Sequence, residues 1–89
     1  MTVTMYHVYF LRSESHPGKT YIGFTEVPVN ERLAVHNRGA VPSTKRFSPW
    51  RVIAYVGVQD RATALALETY FKSGSGHAFW HKRFIVRDP

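Results

Sequence analysis

Thr2-Val-Thr-Met-Tyr-His-Val-Tyr-Phe-Leu11 is followed, after a short polar segment, by Lys19-Thr-Tyr-Ile-Gly-Phe-Thr25. Both stretches are rich in β-branched and aromatic residues, a composition that is typical of β-strands. The segment between them, Ser13 to Gly18, ends in Pro-Gly, a dipeptide that marks a turn. The two strands are therefore predicted to pair as an antiparallel hairpin.

The middle of the chain is predicted to form a helix, a loop and a third strand. Pro28 to Arg38 has the features of a helix, with proline in the first turn and Gly39 just beyond the end. Residues 40–49 contain two prolines and a basic pair and are predicted to form a loop. Trp50 to Val58 is apolar on both faces, which is typical of a central strand covered on both sides.

Two helices are predicted after this strand. Asp60 is a suitable N-cap for a helix from Arg61 to Lys72, with Gly74 as its C-cap. A basic and aromatic segment, His77 to Arg87, is expected to form a short final helix. The element order β-β-α-β-α-α predicts an α/β (α+β) fold, a small three-stranded antiparallel sheet flanked by helices, in a single domain over residues 1–89.

Composition excludes several classes of protein. With 44% hydrophobic and 15% aromatic residues, the 89-residue chain has enough apolar side chains for a packed core and is not a disordered segment. The absence of cysteine excludes a disulfide framework and a thiolate zinc site. No apolar run approaches the ~18 residues needed to span a bilayer, and no signal peptide is apparent, so we expect a soluble, cytoplasmic protein.

The charge of the chain points to an anionic partner. Twelve Lys and Arg residues against six Asp and Glu residues give a formal net charge of +6. Such an excess is expected of a protein that binds nucleic acid and, less often, of one that binds an acidic membrane surface. Charge alone leaves open a third case, a basic protein that binds no polyanion.

Arg32 and His36 are one candidate pair for chemistry on a phosphate. Their four-residue spacing in the predicted helix places both side chains on the same face, one turn apart. An arginine can bind a phosphate through two parallel hydrogen bonds, and a neighbouring histidine can transfer protons near neutral pH. From these two residues alone, a solvated polar face with an incidental histidine is the favoured alternative.

Glu68 lies in the most apolar predicted helix, where a carboxylate is costly unless a cation or hydrogen-bond donors meet it. Mg²⁺ is often held by one or two carboxylates and water, so a single glutamate can serve as the protein ligand. The alternative is a surface glutamate paired with Lys72 at the i,i+4 spacing. The sequence leaves both interpretations open.

Two tyrosines on the hairpin strands are further candidates. Tyr9 and Tyr21 are expected to face each other across the strand pair, with their hydroxyls at the edge of the sheet. Core packing with a solvated hydroxyl is the usual state of such residues, so strand position alone gives little support for catalysis. Gly23 would weaken its strand unless a bulge or the close approach of a ligand requires a residue without a side chain.

Basic residues interleaved with aromatic ones recur in the second half of the chain. The segments are Lys45-Arg-Phe47, Trp50-Arg51 and Phe79-Trp-His-Lys-Arg-Phe84. Such clusters can contact phosphates and stack on bases. They also occur where core aromatic residues alternate with solvated charges, and that alternative stays open.

The order of these patterns is more specific than any one of them. His7-Val-Tyr9 followed by Tyr21-Ile-Gly23 resembles the paired motif that names the GIY-YIG nuclease superfamily. The resemblance covers roughly residues 5–84 and continues through Glu31-Arg-Leu33, His36-Asn37, Gly39, Ser43-Thr-Lys-Arg46, Pro49-Trp50, Glu68, Lys72-Ser-Gly-Ser-Gly76 and Lys82-Arg83. The chain looks most like small stand-alone members that are related to the nuclease domain of the bacterial nucleotide-excision-repair incision subunit.

The resemblance implies a nuclease that cuts DNA with one Mg²⁺ or Mn²⁺ ion. Tyr9 corresponds to a tyrosine beside the attacking water, as or near the general base, and Tyr21 is similarly placed. Arg32 corresponds to an arginine that stabilises the phosphate charge, His36 to a proton-handling histidine of some members, and Glu68 to the metal ligand. We expect nucleic acid to be contacted by Gly23, Lys45, Arg46, Lys72, Lys82 and Arg83.

Some features of the chain depart from the family pattern. His7 stands where the first motif usually has glycine, and the stretch that follows Glu68 reaches Trp80 without the asparagine of the repair subgroup. With no accessory DNA-binding domain in the sequence, target choice would come from the nuclease fold or from a partner. The prediction is a metal-dependent endonuclease acting on duplex, branched or damaged DNA in repair or recombination, with a repair protein as a further partner. The alternatives are a non-catalytic nucleic-acid-binding module and an interaction domain of a repair complex.

Overall fold

A computed structural model describes residues 5–85 of the chain. Its elements are β1 (Tyr6–Ser13), β2 (Thr20–Thr25), α1 (Val29–Asn37), α2 (Pro42–Lys45), β3 (Trp50–Val58), α3 (Arg61–Lys72) and α4 (Gly74–Arg83). The α+β class, the antiparallel hairpin and the three-stranded antiparallel sheet are confirmed. The predicted first residues of the first strand and the last residues of the final helix lie outside the described part of the chain. No described helix has the length and hydropathy needed to cross a membrane.

β1 is the central strand of the sheet, whose order is β2-β1-β3. The prediction that Trp50–Val58 is the central strand is therefore wrong, because within residues 5–85 β3 pairs only with β1 and lies at an edge. The apolar residues on both faces of β3 have another cause: α1 and α3 pack against the sheet from opposite sides. In β1, by contrast, Val8, Phe10 and Leu11 are completely buried.

Alternate side chains of β1 divide the interior into two apolar clusters, one on each face of the sheet. The cluster against α3 and α4 contains Val8, Phe10, Ile22, Ala64, Phe71 and Trp80. The cluster against α1 contains Tyr9, Leu11, Val29 and Trp50. Since strand side chains alternate between faces, the tyrosine of the first motif belongs to the α1 face of the sheet.

The structure differs from the predicted elements in the loop before β3 and at the junction of α3 and α4. The predicted loop over residues 40–49 contains the short helix α2, with Pro42 at the start of the helix, where its fixed φ and missing N–H are tolerated. α3 ends with Ser73, not Gly74, as its C-cap, and α4 begins at Gly74 instead of His77. Gly74 takes a positive φ of 59°, a conformation that glycine adopts without strain, so it redirects the chain between the two helices.

Gly23 determines where the side chain of Tyr9 lies. The two residues are direct partners in the β1–β2 pair. A Cβ atom at position 23 would overlap the ring and hydroxyl of Tyr9, so the tyrosine extends across β2 through the space that the glycine leaves. The missing side chain is therefore required by a residue of the chain itself, independently of any ligand.

Asn37 ties the end of α1 to the start of β3. Its Nδ2 donates a hydrogen bond to the carbonyl oxygen of Trp50 at 3.0 Å, and the Trp50 N–H donates to Asn37 Oδ1 at 2.6 Å. The side-chain amide thus pairs with both backbone groups of a buried residue, much as a neighbouring strand would. This bond pair fixes α1 over the face of the sheet that carries Tyr9.

We expect replacement of Asn37 by Ala to lower the free energy of unfolding by about 1–3 kcal/mol, because it removes both partners from the Trp50 backbone. Asn30→Ala is the matched control, since Asn30 is exposed on the same helix and should change stability by less than ~0.5 kcal/mol. Urea unfolding of both variants measures the difference. Equal losses would contradict the role assigned to Asn37.

Gly23→Ala should destabilise the protein by about 1–3 kcal/mol, because the added methyl group must displace the Tyr9 ring. Gly18→Ala provides the comparison, since a Cβ atom at Gly18 meets no atom within 4 Å. Both changes carry the same chemical substitution, so the difference between their free energies of unfolding reports the overlap with Tyr9. A Gly23→Ala protein as stable as the Gly18→Ala protein would show that Tyr9 does not need this space.

Candidate active site

Four of the predicted site residues come together on the α1 face of the sheet. The Tyr9 hydroxyl oxygen lies 2.8 Å from Nε2 of His36. The ring of Tyr21 lies against both, with centroids 6.3 Å from Tyr9 and 4.9 Å from His36. The sequence predicted that the two tyrosines face each other directly across the strand pair. In the structure Tyr9 pairs with Gly23 and Tyr21 pairs with Leu11, so the tyrosines are diagonal neighbours on one face of the sheet.

Arg32 completes this group from one turn earlier on α1. Its Nε donates to the Tyr9 hydroxyl oxygen across 3.5 Å, which is a long hydrogen bond. Arg32 is half-buried, whereas Tyr9 is 1% and His36 0% exposed. The i,i+4 spacing of Arg32 and His36 therefore brings a cation and an imidazole to the same phenol oxygen.

The buried side of His36 contacts a residue to which the sequence analysis gave no role. Its Nδ1 lies 2.8 Å from Oγ1 of Thr44, which is 1% exposed. Thr44 belongs to α2, the helix that was expected to be loop. The only signal in the sequence was its place in the Ser43-Thr-Lys-Arg46 motif, and nothing in that motif indicated a contact with the helix before it.

Glu68 lies on α3, with 20% of its side chain exposed, and pairs with Lys72 at 3.3 Å. This is the ion pair that was considered as the alternative to metal binding. Glu68 is nevertheless close enough to the tyrosines that its charge acts on the hydroxyls of both Tyr9 and Tyr21. The carboxylate therefore belongs to the same electrostatic environment as the group on the α1 face.

Burial sets the protonation of this group. It raises the pKa of Tyr9, while the hydrogen bond from Arg32 acts in the opposite direction. Burial also raises the pKa of Tyr21, Arg32 opposes the rise, and the charge of Glu68 adds to it. Burial and then the positive charge of Arg32 lower the pKa of His36. At neutral pH both tyrosines are therefore protonated and His36 is a neutral imidazole.

The residues around Glu68 fit a hard divalent ion such as Mg²⁺ or Mn²⁺ better than they fit zinc. Among residues 5–85 no group of three or more His, Cys, Asp and Glu side chains could enclose a metal ion. Mg²⁺ keeps several waters and needs only one or two carboxylates, which matches the single half-buried Glu68. A zinc site would need ligands that this part of the chain does not bring together.

A cleft of about 240 Å³ opens beside Tyr21 and is lined by Thr20, Tyr21, Ile22, Lys72, His77 and Trp80. Trp80 stands near the place where the repair subgroup carries an asparagine. Its ring is 1% exposed and its Nε1 donates to the carbonyl oxygen of Phe71 at 2.9 Å. This tryptophan is thus part of the core, with one edge at the cleft.

The predicted nucleic-acid-binding side chains are all exposed, at the C-terminal ends of three different helices. Lys45 ends α2 and Arg46 is its C-cap, Lys72 ends α3, and Lys82 and Arg83 end α4. Two of them stack on neighbouring rings: the Arg46 guanidinium lies 5.4 Å from the Phe47 centroid, and that of Arg83 lies 4.8 Å from Phe79. Their charges are therefore available to a phosphate backbone.

Sequence reasoning missed a histidine pair on α4. His77 and His81 have the i,i+4 spacing that metal-binding helices use, and their ring centroids are 4.0 Å apart. The two rings contact each other in a tilted arrangement, and His81 makes a second tilted contact with Trp80. No third ligand joins them in the described part of the chain. We therefore assign the pair to packing at the end of the cleft.

Two comparisons place the chain among known proteins. The family profile described as "GIY-YIG catalytic domain" matches residues 5–82. A protein of Giardia intestinalis named "Structure-specific endonuclease subunit SLX1 homolog" is 38% identical over 60 residues, which are 63% of this chain and 16% of that protein. The chain spans only a small part of the length of this relative. Because the family match covers the whole sheet and includes Tyr9, Tyr21, Arg32, His36 and Glu68, the chain belongs to the GIY-YIG family.

Proposed function

We propose that this chain is the catalytic domain of an endonuclease that hydrolyses DNA phosphodiester bonds with one Mg²⁺ or Mn²⁺ ion. The observation that carries the proposal is the contact of two groups with one phenol oxygen: His36 lies 2.8 Å and Arg32 3.5 Å from the Tyr9 hydroxyl. Tyr21 lies against the same histidine. The net charge of +6 supports an anionic substrate.

The proposed mechanism gives each residue one of the tasks of phosphodiester hydrolysis. A water must lose a proton, and the negative charge that grows on the phosphate must be neutralised. Tyr9 accepts a proton from the attacking water, Tyr21 helps to orient that water, and Arg32 binds the phosphate through its guanidinium. Glu68 would hold the metal ion, which when bound supplies positive charge at the phosphate.

Lys72 is proposed to exchange partners when the substrate binds. In the free protein its Nζ lies 3.3 Å from a Glu68 carboxylate oxygen. The Lys72 side chain is 54% exposed and would leave Glu68 if that carboxylate held a divalent ion, because two cations beside one carboxylate repel each other. Lys72 would then neutralise a phosphate of the strand that lies in the cleft beside Tyr21. The ion pair would thus occupy Glu68 only until metal and DNA bind.

The proposed substrate is branched or damaged DNA. The printed name of the Giardia relative describes a structure-specific endonuclease subunit, which supports both a branched substrate and a repair-protein partner for this chain. Gly23 is proposed to act on the substrate only through Tyr9, whose ring and hydroxyl occupy the space beside it. The phosphate backbone would be contacted by Lys45, Arg46, Lys72, Lys82 and Arg83. A cytoplasmic location and a single domain over residues 1–89 stay predictions.

Replacement of Glu68 by Gln should lower cleavage at least about 100-fold, because removal of the ligand itself should cost no less than removal of an outer-shell partner. DNA binding should be unchanged or slightly tighter, since the substitution removes a negative charge near the phosphate. The measurement is cleavage of labelled duplex, flap, bubble and branched DNAs with Mg²⁺ or Mn²⁺, beside EDTA. Glu26→Gln is the matched control, because Glu26 pairs with Arg61 on the surface.

Each outcome of this panel separates the candidate functions. Cleavage that needs both the metal and Glu68 supports the enzyme and identifies the preferred DNA structure. Full activity of Glu68→Gln with unchanged metal dependence would overturn the metal-binding role. No cleavage in any lane, with DNA binding intact, would favour the non-catalytic binding module. That alternative has some support from Trp80, a core residue near the place where the repair subgroup carries an asparagine.

A further inference from the structure

A chain of hydrogen-bonded groups runs from the Tyr9 hydroxyl into the interior of the protein. Tyr9 Oη lies 2.8 Å from His36 Nε2, and His36 Nδ1 lies 2.8 Å from Thr44 Oγ1. The Thr44 hydroxyl in turn donates to the carbonyl oxygen of Val41 at 3.3 Å. The two groups in the middle, His36 and Thr44, are 0% and 1% exposed, so neither exchanges partners with bulk water.

The direction of these bonds follows from the donors and acceptors that are present. The proton of the Thr44 hydroxyl is given to Val41, so Thr44 Oγ1 is left as an acceptor. Because Thr44 Oγ1 accepts a hydrogen bond from His36 Nδ1, the single ring proton of the neutral imidazole must be on Nδ1. Nε2 of His36 then carries the free lone pair, and the Tyr9 hydroxyl donates to it.

The opposite arrangement satisfies fewer groups. If His36 carried its proton on Nε2, Thr44 would turn its hydroxyl toward Nδ1 and give up the bond to Val41. Tyr9 would then accept from both His36 and Arg32, and its own proton would have no partner among these residues. Since buried polar groups are almost always paired, the first arrangement is favoured.

We propose that Thr44 is a positioning residue that holds His36 with its proton on Nδ1, so that Nε2 can accept the proton of Tyr9. The effect of Thr44 on cleavage rests on the proposed nuclease function, whereas the tautomer of His36 does not. Thr44 is well suited to this task because it is fixed from two sides. Its N–H donates to the Val41 carbonyl at 3.1 Å, and its own carbonyl accepts from Trp50 Nε1 at 2.8 Å.

The proton balance of the reaction follows from this arrangement. As the water oxygen forms its bond to phosphorus, one water proton passes to Tyr9 Oη while the Tyr9 proton passes to His36 Nε2. The P–O bond to the leaving oxygen breaks, and that oxygen takes a proton from bulk water. The imidazolium of His36 then returns its proton through Tyr9 to solvent. Tyr9 therefore never has to ionise on its own, although burial raises its pKa.

The tautomer is tested directly by ¹⁵N NMR of the His36 ring, in the unmodified protein and in the Thr44→Val and Thr44→Ser variants. We expect Nδ1 to be protonated in the unmodified protein and in Thr44→Ser, which keeps the hydroxyl. Thr44→Val keeps the shape but removes the acceptor, so the proton should move wholly or partly to Nε2. A ring that is protonated on Nε2 in the unmodified protein would overturn the proposal, whatever the variants do.

Cleavage kinetics provide the second readout. Thr44→Val should lower kcat about 10–100-fold with little change in KM, as expected for a partner that orients a catalytic histidine, and Thr44→Ser should restore most of it. Thr69→Val is the matched control, because the exposed Thr69 hydroxyl also donates to a backbone carbonyl of its own helix, that of Leu65 at 3.1 Å. The proposal would also be overturned if the His36 proton moved to Nε2 in Thr44→Val while kcat stayed equal to that of the unmodified protein. If the unmodified protein cleaves no DNA, the nuclease function fails, yet the NMR result still decides the role of Thr44.

Discussion

The hydrogen bond between Tyr9 and His36 joins the central strand to the helix that covers it, and both side chains are almost fully buried. Its geometry depends on residues from several parts of the chain. Gly23 leaves space for the Tyr9 ring to cross the neighbouring strand. Asn37, the residue after His36, fixes the end of α1 to the first residue of β3. A small protein with two thin apolar clusters thereby holds a polar pair in one position.

A buried polar pair would be costly if either partner lacked hydrogen bonds, and this requirement explains the surrounding structure. Thr44 forms a hydrogen bond with the inner nitrogen of His36, and Arg32 donates one to the Tyr9 oxygen. The same contacts that stabilise the pair would also carry a proton from Tyr9 to His36. Stability and proton transfer therefore depend on the same atoms, so substitutions at these positions are expected to affect both.

Much of the fold could be predicted from the sequence, because its strongest signals are local. The β-branched and aromatic strands, the Pro-Gly turn and the Asp60 N-cap each follow from short-range chemistry; the Asp60 carboxylate does accept from the Thr63 N–H at 2.9 Å. The family was recognisable because Tyr9, Tyr21, Arg32 and Glu68 occur in a fixed order. Residues separated by one helical turn, such as Arg32 and His36, could also be placed together.

The features that were missed depend on contacts between distant parts of the chain. Whether β1 or β3 is central is a matter of pairing, and β3 appeared central because helices cover both of its faces. α2 is a single turn in a segment with two prolines, and its role became clear only from the contact between Thr44 and His36. The reason for Gly23 could not be found without the position of the Tyr9 ring. Local patterns contain no information about these contacts.

The central claim is that neutral His36, through Tyr9, accepts the proton of the attacking water, and the dependence of the cleavage rate on pH tests it most directly. The titratable and charged groups that face His36 are Tyr9, Tyr21 and Arg32. Burial and Arg32 lower the pKa of His36, so the accepting form is complete above that lowered pKa and is lost as the pH falls through it. The account predicts a rate that is level between about pH 7 and 9 and declines only in acid, with an inflection that does not move when Mn²⁺ replaces Mg²⁺. A rate that rises about tenfold per pH unit across the same range would contradict it, since that is the behaviour of a Tyr9 that must ionise by itself.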